Sequence, residues 1–200
     1  MTRRYAIILL TVLLSILTAG AVNVSPRIFR NYTAANGLAD NGAQTILCTK
    51  TGRLVITTAG QINFYDGASF SYIDPLDDNI YALSEYRGNY HLYFDKYHHI
   101  WLKNTGSVTC VELITERFVP SIEDVFAEFG VKERVMDLFV DRTGVVWLLT
   151  ANGLYSVETK QYIKTRAGLN LQDLEVYKDK FLMLFYENGL MEMYDIAKGK

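Results

Sequence analysis

The chain has 200 residues, of which 50% are hydrophobic and 21% charged, a composition typical of folded globular proteins that excludes extensive disorder. Its formal net charge of −2 provides no basic surface and so argues against a nucleic-acid partner. The 14 tyrosines and 10 phenylalanines, set against only 3 prolines, favour wide β-sheets over a helical bundle.

The N-terminal segment 1–21 has the order of features found in a secretory signal peptide. Two arginines precede an apolar run at residues 6–17, and small residues lead up to Ala21. The run is shorter than the ~20 apolar residues that cross a bilayer, which favours cleavage over a permanent anchor. We therefore expect cleavage after Ala21, a mature segment at residues 22–200 and a periplasmic location.

Three segments of the chain repeat at a constant interval of 46 residues. They read "CTKTGRLVITTAGQINFYD", "FDKYHHIWLKNTGSVTCVE" and "VDRTGVVWLLTANGLYSVE", and Thr49, Asp95 and Asp141 occupy the same place in each. Trp101 and Trp147 share a second place, six residues after the aspartates. A period in the forties with several short strands per unit is the size of one propeller blade.

The repeat predicts the fold class. We expect an all-β protein made of β-propeller blades, each a four-stranded antiparallel sheet, with about four blade equivalents of a larger propeller. The predicted units are residues 29–72, 73–118, 130–164 and 165–200.

The third unit shows why each punctuating residue is present. Asp141 is expected to accept backbone N–H bonds in a turn, which Gly144 closes with a positive φ. The following "VVWLLT" is apolar on both faces, which predicts a central strand between neighbouring blades with Trp147 filling the gap. Asn152 and Gly153 then predict a type I′ hairpin, because both of its central residues need positive φ.

The fourth unit is shorter but carries the same signals. Gly168 precedes Asp179 by eleven residues, as Gly130 precedes Asp141, and a tight "KDK" turn then joins two strands. The complete predicted repeat set is Asp95, Trp101, Asp141, Gly144, Trp147, Asn152, Gly153, Asp179, Asn188 and Gly189.

Two further features depart from the strand pattern. Residues 121–129, "SIEDVFAEF", predict a short amphipathic helix, since Ser121 is a suitable N-cap and the apolar residues fall on one face before Gly130. Cys48 and Cys110 each lie in an apolar run, where a free thiol behaves as a small hydrophobe. We expect two buried thiols, and a single disulfide is the alternative.

The segments "NYTAANGLADNGAQTILCTKTGRLVITTAGQINFYDG" and "VMDLFVDRTGVVWLLTANGLYSVE" resemble the two-component regulator propeller repeat. The likeness extends over residues 29 to 195. The first unit departs from it with Thr49 in place of Asp and Val55 in place of Trp, and the second has His98 in place of Gly.

The resemblance implies the periplasmic sensor region of a bacterial hybrid histidine kinase or related regulator, which detects breakdown products of polysaccharides. Such receptors continue into further blades, a β-sandwich, a membrane helix and a cytoplasmic signalling part. We therefore expect this chain to be the N-terminal part of a receptor whose membrane and kinase segments lie downstream, or a truncated product of such a receptor. A homodimer of the full-length receptor is also implied by the resemblance.

No motif of enzyme chemistry stands out in the sequence. There is no Gly-x-Ser-x-Gly elbow, phosphate-binding glycine loop or His-Glu-x-x-His, so we predict no catalytic residues, cofactor or metal. His98 and His99 are adjacent, and on a strand they would point to opposite faces. The aspartate box of glycoside-cleaving propellers, Ser-x-Asp-x-Gly-x-Thr-Trp, fits poorly because Asp141 and Gly144 are one residue too far apart and Phe139 replaces the Ser.

The aromatic segment "YRGNYHLYFDKYHHIW" is where we expect a ligand. Arg87, His98 and His99 are the predicted exposed polar contacts, whereas Tyr90, Tyr93 and Trp101 are expected to fill space between blades. The predicted function is non-catalytic sensing outside the cytoplasm, with an oligosaccharide as the expected ligand. A protein-interaction propeller is the alternative, and a secreted carbohydrate-active enzyme is the second alternative.

Overall fold

The computed structural model describes residues 29–59, 61–73 and 79–198, so the predicted signal peptide and its cleavage site at Ala21 lie outside the described residues. The described residues from Tyr32 onwards form one compact unit, and the described residues 29–31 before it contain no helix or strand.

The described residues form sixteen strands, one α-helix and a short 3-10 turn at Ala34–Asn36. The strands are β1 (Thr45–Cys48), β2 (Leu54–Thr58), β3 (Gln61–Tyr65), β4 (Phe70–Ile73), β5 (Ile80–Ala82), β6 (His91–Phe94), β7 (His99–Asn104), β8 (Ser107–Glu112), β9 (Arg117–Phe118), β10 (Val135–Val140), β11 (Val146–Thr150), β12 (Gly153–Ser156), β13 (Gln161–Ile163), β14 (Leu171–Tyr177), β15 (Phe181–Tyr186) and β16 (Met191–Asp195). The helix α1 is Ile122–Phe129, and it does not have the length to cross a membrane; no helix of the described residues does.

The strands form four antiparallel sheets, which we call blades 1 to 4. Blade 1 is β1–β4, blade 3 is β10–β13, and blade 4 has three strands, β14–β16, among the described residues. In blade 2 the order is β6-β7-β8, and both β5 and β9 pair with the outer edge of β8. These sheets confirm the predicted all-β fold of propeller blades.

Equivalent residues of the repeat occupy equivalent places in their blades. Thr49, Asp95 and Asp141 each follow directly after an edge strand of a blade, β1, β6 and β10 respectively. The tryptophan position of the repeat also pairs in the same way in each blade. The cross-strand pairs are Leu47 with Val55, Tyr93 with Trp101, and Phe139 with Trp147.

The central strands β7 and β11 each contribute side chains to two hydrophobic cores. On β11, Val146 and Leu148 pack in the core shared with blade 2, while Trp147 and Leu149 pack in the core shared with blade 4. A third core joins blades 1 and 2 through residues that include Val55 and Ile100. The run "VVWLLT" is therefore apolar on both faces because both faces are covered.

The predicted helix is confirmed. The Ser121 Oγ accepts a hydrogen bond from the Asp124 N–H at 3.2 Å, and Gly130 ends the helix with a φ of 100°. The buried face of α1 lies in the core between blades 2 and 3, where the Phe126 ring stacks on Trp101 with the centroids 5.9 Å apart.

The hairpin of blade 3 differs from the predicted type I′ turn. Thr150 pairs with Gly153, so the loop is formed by Ala151 and Asn152, and of these residues only Gly153 has a positive φ, 122°. A Cβ at Gly153 would lie 2.5 Å from the carbonyl oxygen of Ile163 on the neighbouring strand. The glycine is therefore required by cross-strand contact as well as by backbone conformation.

Blade 4 corrects the predicted place of Asp179. β10 and β14 each contain a register shift, just before Asp137 and Asp173 respectively, and each of these carboxylates accepts a bond from the next backbone N–H. Matching the two bulges puts Tyr177 in the place of Asp141. Asp179 lies in the following turn with a φ of 52° and a side chain that is 82% exposed.

The cysteines also differ in part from the prediction. Cys110 is buried as expected, but Cys48 is exposed, and both thiols are free. The alternative of a single disulfide between them is therefore wrong.

Candidate ligand-binding site

The Asp141 carboxylate holds the turn and the tryptophan of blade 3 together. Its Oδ1 accepts the backbone N–H groups of Thr143 at 2.8 Å and Val145 at 3.1 Å. Its Oδ2 accepts the indole N–H of Trp147 at 2.8 Å. Gly144 has the expected positive φ of 82°.

Asp95 makes the same set of bonds in blade 2. Its Oδ1 accepts the N–H groups of Tyr97 and His99, and its Oδ2 accepts the Trp101 indole N–H at 2.8 Å. The His99 Nδ1 lies 2.9 Å from the same Oδ2. The six-residue spacing thus places a carboxylate opposite an indole, and the identical Asp-to-Trp spacing in two units was the sequence signal for this bond.

Blade 1 replaces the whole arrangement. Thr49 accepts the N–H of Arg53 at 3.1 Å through its hydroxyl, and Val55 stands in place of the tryptophan. Phe64 pairs with Val55, whereas the small residues Cys110 and Ser156 pair with the two tryptophans. Blade 1 therefore has Thr in place of Asp, Val in place of Trp and Phe in place of a small residue. These three changes occur together at one place in the blade.

The three predicted ligand contacts do not come together. Arg87 precedes β6, whereas His98 and His99 follow that strand at its opposite end. The His99 side chain is only 13% exposed and bonds to Asp95, so it is not the exposed contact that was predicted. Arg87 and His98 are exposed.

A pocket of about 290 Å³ opens between blades 1 and 2, at the end of the blades away from Thr49 and Asp95. We call it the neutral pocket, because its lining carries amide, hydroxyl and apolar groups and no charged side chain. It is lined by Gln44, Thr58, Gln61, Ile62, Ile80, Tyr90, Leu102, Asn104, Ser107, Thr109 and Phe118. Sequence reasoning missed it because its walls come from residues far apart in the chain.

The Tyr90 hydroxyl is the distinctive group of the neutral pocket. It is buried, and among the described residues it has no hydrogen-bond partner of normal geometry. The Thr57 hydroxyl is also buried and also lacks such a partner among these residues. Burial raises the Tyr90 pKa to about 12, and the neighbouring Thr57 hydroxyl lowers it by less. Buried hydroxyls that lack a well-formed hydrogen bond among the described residues are unusual, because burial of a polar group is costly unless it is bonded.

A second buried polar group lies between blades 2 and 3. The Lys103 Nζ is 2.6 Å from Asp137 Oδ1 and donates to the Leu138 carbonyl at 2.8 Å, with both charged side chains essentially inaccessible. Burial lowers the Lys103 pKa, and it raises the pKa of Asp137 to about 6. The rings of Tyr86 and Phe139 lie over the ammonium, at 3.8 and 4.2 Å, and seal the pair from solvent.

The described residues contain no cluster of three or more His, Cys, Asp or Glu side chains able to hold a metal ion. No protein-family model matches the chain, and no curated protein matches it.

Solved structures do match the fold. The extracellular domain of the hybrid two-component system BT3049 of B. thetaiotaomicron aligns with a TM-score of 0.51 at 15% identity, covering 86% of this chain and 25% of that domain. The extracellular domain of BT4673 from B. thetaiotaomicron aligns with a TM-score of 0.45 at 15% identity, covering 83% and 22%. Streptogramin B lyase aligns with a TM-score of 0.40 at 14% identity, covering 80% and 56%.

The chain thus spans about a quarter of the length of the two extracellular domains. At this identity the BT3049 alignment concerns the fold, and it agrees with the four blades seen here. The chain is therefore built of β-propeller blades, a fold that it shares with part of the BT3049 extracellular domain.

Proposed function

We propose that this chain is a non-catalytic, extracytoplasmic part of a bacterial signalling receptor and that it senses an oligosaccharide in the neutral pocket. The observation that carries the proposal is the buried Tyr90 hydroxyl, which has no well-formed hydrogen bond among the described residues, in a pocket lined by uncharged hydrogen-bonding groups. The fold shared with an extracellular domain of a two-component system supports the receptor role.

The lining of the neutral pocket suits a neutral sugar. Gln44, Gln61 and Asn104 offer amide donors and acceptors, and Ser107 and Thr109 offer hydroxyls. A volume of about 290 Å³ lies at the lower end of the range of about 300–1,000 Å³ for small-molecule pockets, so the pocket suits the terminal residue of a sugar chain rather than a long segment.

The position of the pocket also suits signalling. Its walls belong to two separate sheets, which meet through the core that contains Val55 and Ile100. A ligand that contacts both sheets favours the blade spacing that fits it best, and this difference in affinity shifts the receptor between two arrangements. Location in the periplasm, dimerisation and a downstream membrane helix and kinase belong to the same proposal for the whole receptor.

The direct test is Tyr90→Phe, measured by calorimetry against a panel of neutral oligosaccharides. Loss of one hydrogen bond of about 1.4 kcal/mol corresponds to an affinity about tenfold weaker. Tyr72→Phe is the matched control, because Tyr72 is exposed on β4 and outside the pocket. Arg87→Ala and His98→Gly should leave the affinity unchanged.

Two outcomes would contradict the proposal. Equal affinities of the Tyr90→Phe variant and the unaltered chain for every sugar bound would place the site elsewhere. Release of reducing sugar from the oligosaccharides by the purified chain would show a catalytic rather than a sensing role.

A further inference from the structure

We propose that a second cavity between blades 1 and 2, at the end that carries Thr49 and Asp95, binds a small anionic molecule with a flat apolar face. A sugar acid and an aromatic carboxylate share this chemistry. We call this cavity the cationic pocket; it is separate from the neutral pocket and goes beyond the proposed function.

The cationic pocket is enlarged because blade 1 lacks the indole of the repeat. Trp101 and Trp147 occupy the corresponding place beside blades 3 and 4, where each is at most 3% exposed, and the cavity beside Trp147 is only about 220 Å³. In blade 1 the side chain at this place is Val55, and the added volume of Phe64 only partly compensates. A cavity of about 520 Å³ remains, lined by Cys48, Thr49, Lys50, Thr51, Arg53, Phe64, Phe94, Asp95, Lys96, His98, Leu113, Ile114 and Glu116.

The floor of the cationic pocket is apolar and aromatic. Phe64 is 1% exposed, and the Arg53 guanidinium lies 5.5 Å from the centroid of its ring. Phe94 and Leu113 complete the floor. The Arg53 Nε is buried and has no hydrogen-bond partner among the described residues. A planar ligand on the Phe64 side of the pocket would therefore meet an arginine N–H that lacks an acceptor.

The carboxylates that line the pocket are already engaged. Both oxygens of Asp95 accept N–H bonds from its own turn and from Trp101, and Glu116 pairs with Arg53. Lys96 pairs with Glu158. The Lys50 ammonium, in contrast, has no ion-pair partner among the described residues, so the available charge at the rim is positive.

His98 adds a second sign that this place is specialised. It has a φ of 75° at the position where the other two turns have Gly52 and Gly144, with φ of 84° and 82°. A non-glycine residue in this region is strained, and such strain is concentrated at functional sites. The imidazole that replaces these glycines lines the cationic pocket.

Cys48 provides a direct probe of occupancy. Cys48 lines the cationic pocket and is exposed, whereas Cys110 is buried and burial raises the pKa of its thiol, so alkylation by iodoacetamide reports on Cys48. We expect glucuronate or benzoate to slow the alkylation of Cys48, while glucose and benzyl alcohol do not. Protection by glucuronate alone identifies a sugar acid, and protection by benzoate alone identifies an aromatic acid.

The residues are tested by the ratio of the Cys48 alkylation rates with and without the anion. Arg53→Gln removes the guanidinium, and His98→Gly removes the imidazole while restoring the residue that the other turns use. Each should weaken protection by about tenfold or more, since a hydrogen bond to a charged group contributes about 1.5–3 kcal/mol. Lys164→Gln is the control, because Lys164 is exposed in blade 3 and outside this pocket.

The proposal is overturned if neither anion protects Cys48, or if neutral compounds protect it equally. It is also overturned if protection is unchanged in both His98→Gly and Arg53→Gln. Protection that is lost in Tyr90→Phe and kept in these two variants would assign the anion to the neutral pocket. A loss of neutral oligosaccharide binding in Tyr90→Phe does not bear on the cationic pocket, so the two proposals fail separately.

Discussion

The carboxylates of Asp95 and Asp141 each join a turn to an indole that lies six residues further along the chain. Both carboxylates are buried, so each must be satisfied by donors within the fold. The turn supplies two backbone N–H groups and the tryptophan supplies a third. Asp and Trp therefore depend on each other, and this explains why Thr49 and Val55 replace them together in blade 1.

At the residue scale we predict that Trp147→Phe lowers the free energy of unfolding by about 2 kcal/mol or more. The phenyl ring keeps most of the apolar contact but leaves Asp141 Oδ2 without its indole donor, and hydrogen bonds to charged groups contribute about 1.5–3 kcal/mol. Urea unfolding followed by circular dichroism measures the change.

A double-mutant cycle with Asp141→Asn isolates the bond. Asp179→Asn serves as the control, because its exposed side chain should change stability by less than about 0.5 kcal/mol. Additive effects of Trp147→Phe and Asp141→Asn would show that the indole and the carboxylate are not coupled.

At the residue scale, the sequence could predict the backbone bonds of the Asp141 turn but not the site residues. Turn chemistry is local and depends on neighbouring residues, whereas the role of His99 depends on its hydrogen bond to Asp95. Because the His99 imidazole bonds to the Asp95 carboxylate, the predicted ligand contact is a structural residue instead.

The strands and the helix α1 followed directly from the alternation and spacing of their apolar residues. What the pattern could not give was the geometry between strands. Gly153 faces the Ile163 carbonyl of the next strand, and Gly189, in the equivalent hairpin of blade 4, faces open space. Both glycines have positive φ, so the same Asn-Gly dipeptide occurs in two places for different reasons. Gly153 is needed for backbone conformation and for close cross-strand contact, whereas Gly189 is needed for backbone conformation alone.

At the element scale this contrast gives a matched pair of variants. We predict that Gly153→Ala destabilises the chain more than Gly189→Ala, by about 1–3 kcal/mol. Both add the strain of a left-handed alanine, but only at Gly153 must two backbones also move apart. Thermal and urea unfolding of the two variants provide the comparison, and equal losses of stability would contradict it.

Neighbouring blades share their cores, so the molecule is stabilised mainly at the junctions between sheets. The junction between blades 2 and 3 also contains the buried pair of Lys103 and Asp137. The Asp137 Oδ2 is buried with no partner among the described residues, and removal from water favours the protonated acid.

At the scale of the whole molecule this pair predicts a pH dependence. The pKa of Asp137 is raised from 3.8 to about 6 on folding, so the folded state binds a proton more readily than the unfolded state between these values. The stability that Asp137 contributes is therefore fully present below pH 3.8 and is lost as the pH rises through about 6.

The measurement is the free energy of unfolding of the unaltered chain minus that of Asp137→Asn, across pH 4 to 7. Taking this difference removes the titration of other carboxylates, such as Glu133, whose pKa a bond from Tyr162 lowers. We expect the difference to fall as the pH rises. A difference that rises over this range would mean that Lys103 holds Asp137 ionised in the folded state.

The number and kind of blades could be predicted from the sequence because the same strand and turn signals recur in each repeat. The pockets could not, since each forms between sheets from residues such as Gln44 and Asn104 that are distant in sequence. The bulges before Asp137 and Asp173 were missed for a related reason: a register shift appears only when both paired strands are placed. The bulge in β14 puts Leu171 and Leu174, three residues apart, in the same core.

The missing indole of blade 1 also determines which parts of this protein can be followed by tryptophan fluorescence. Trp101 emits from the junction of blades 2 and 3 and Trp147 from that of blades 3 and 4, so fluorescence distinguishes these two boundaries. The boundary between blades 1 and 2, which holds both pockets, contains no native tryptophan. Its opening would be silent in emission spectra, and an extrinsic dye on Cys48 is the natural way to observe it.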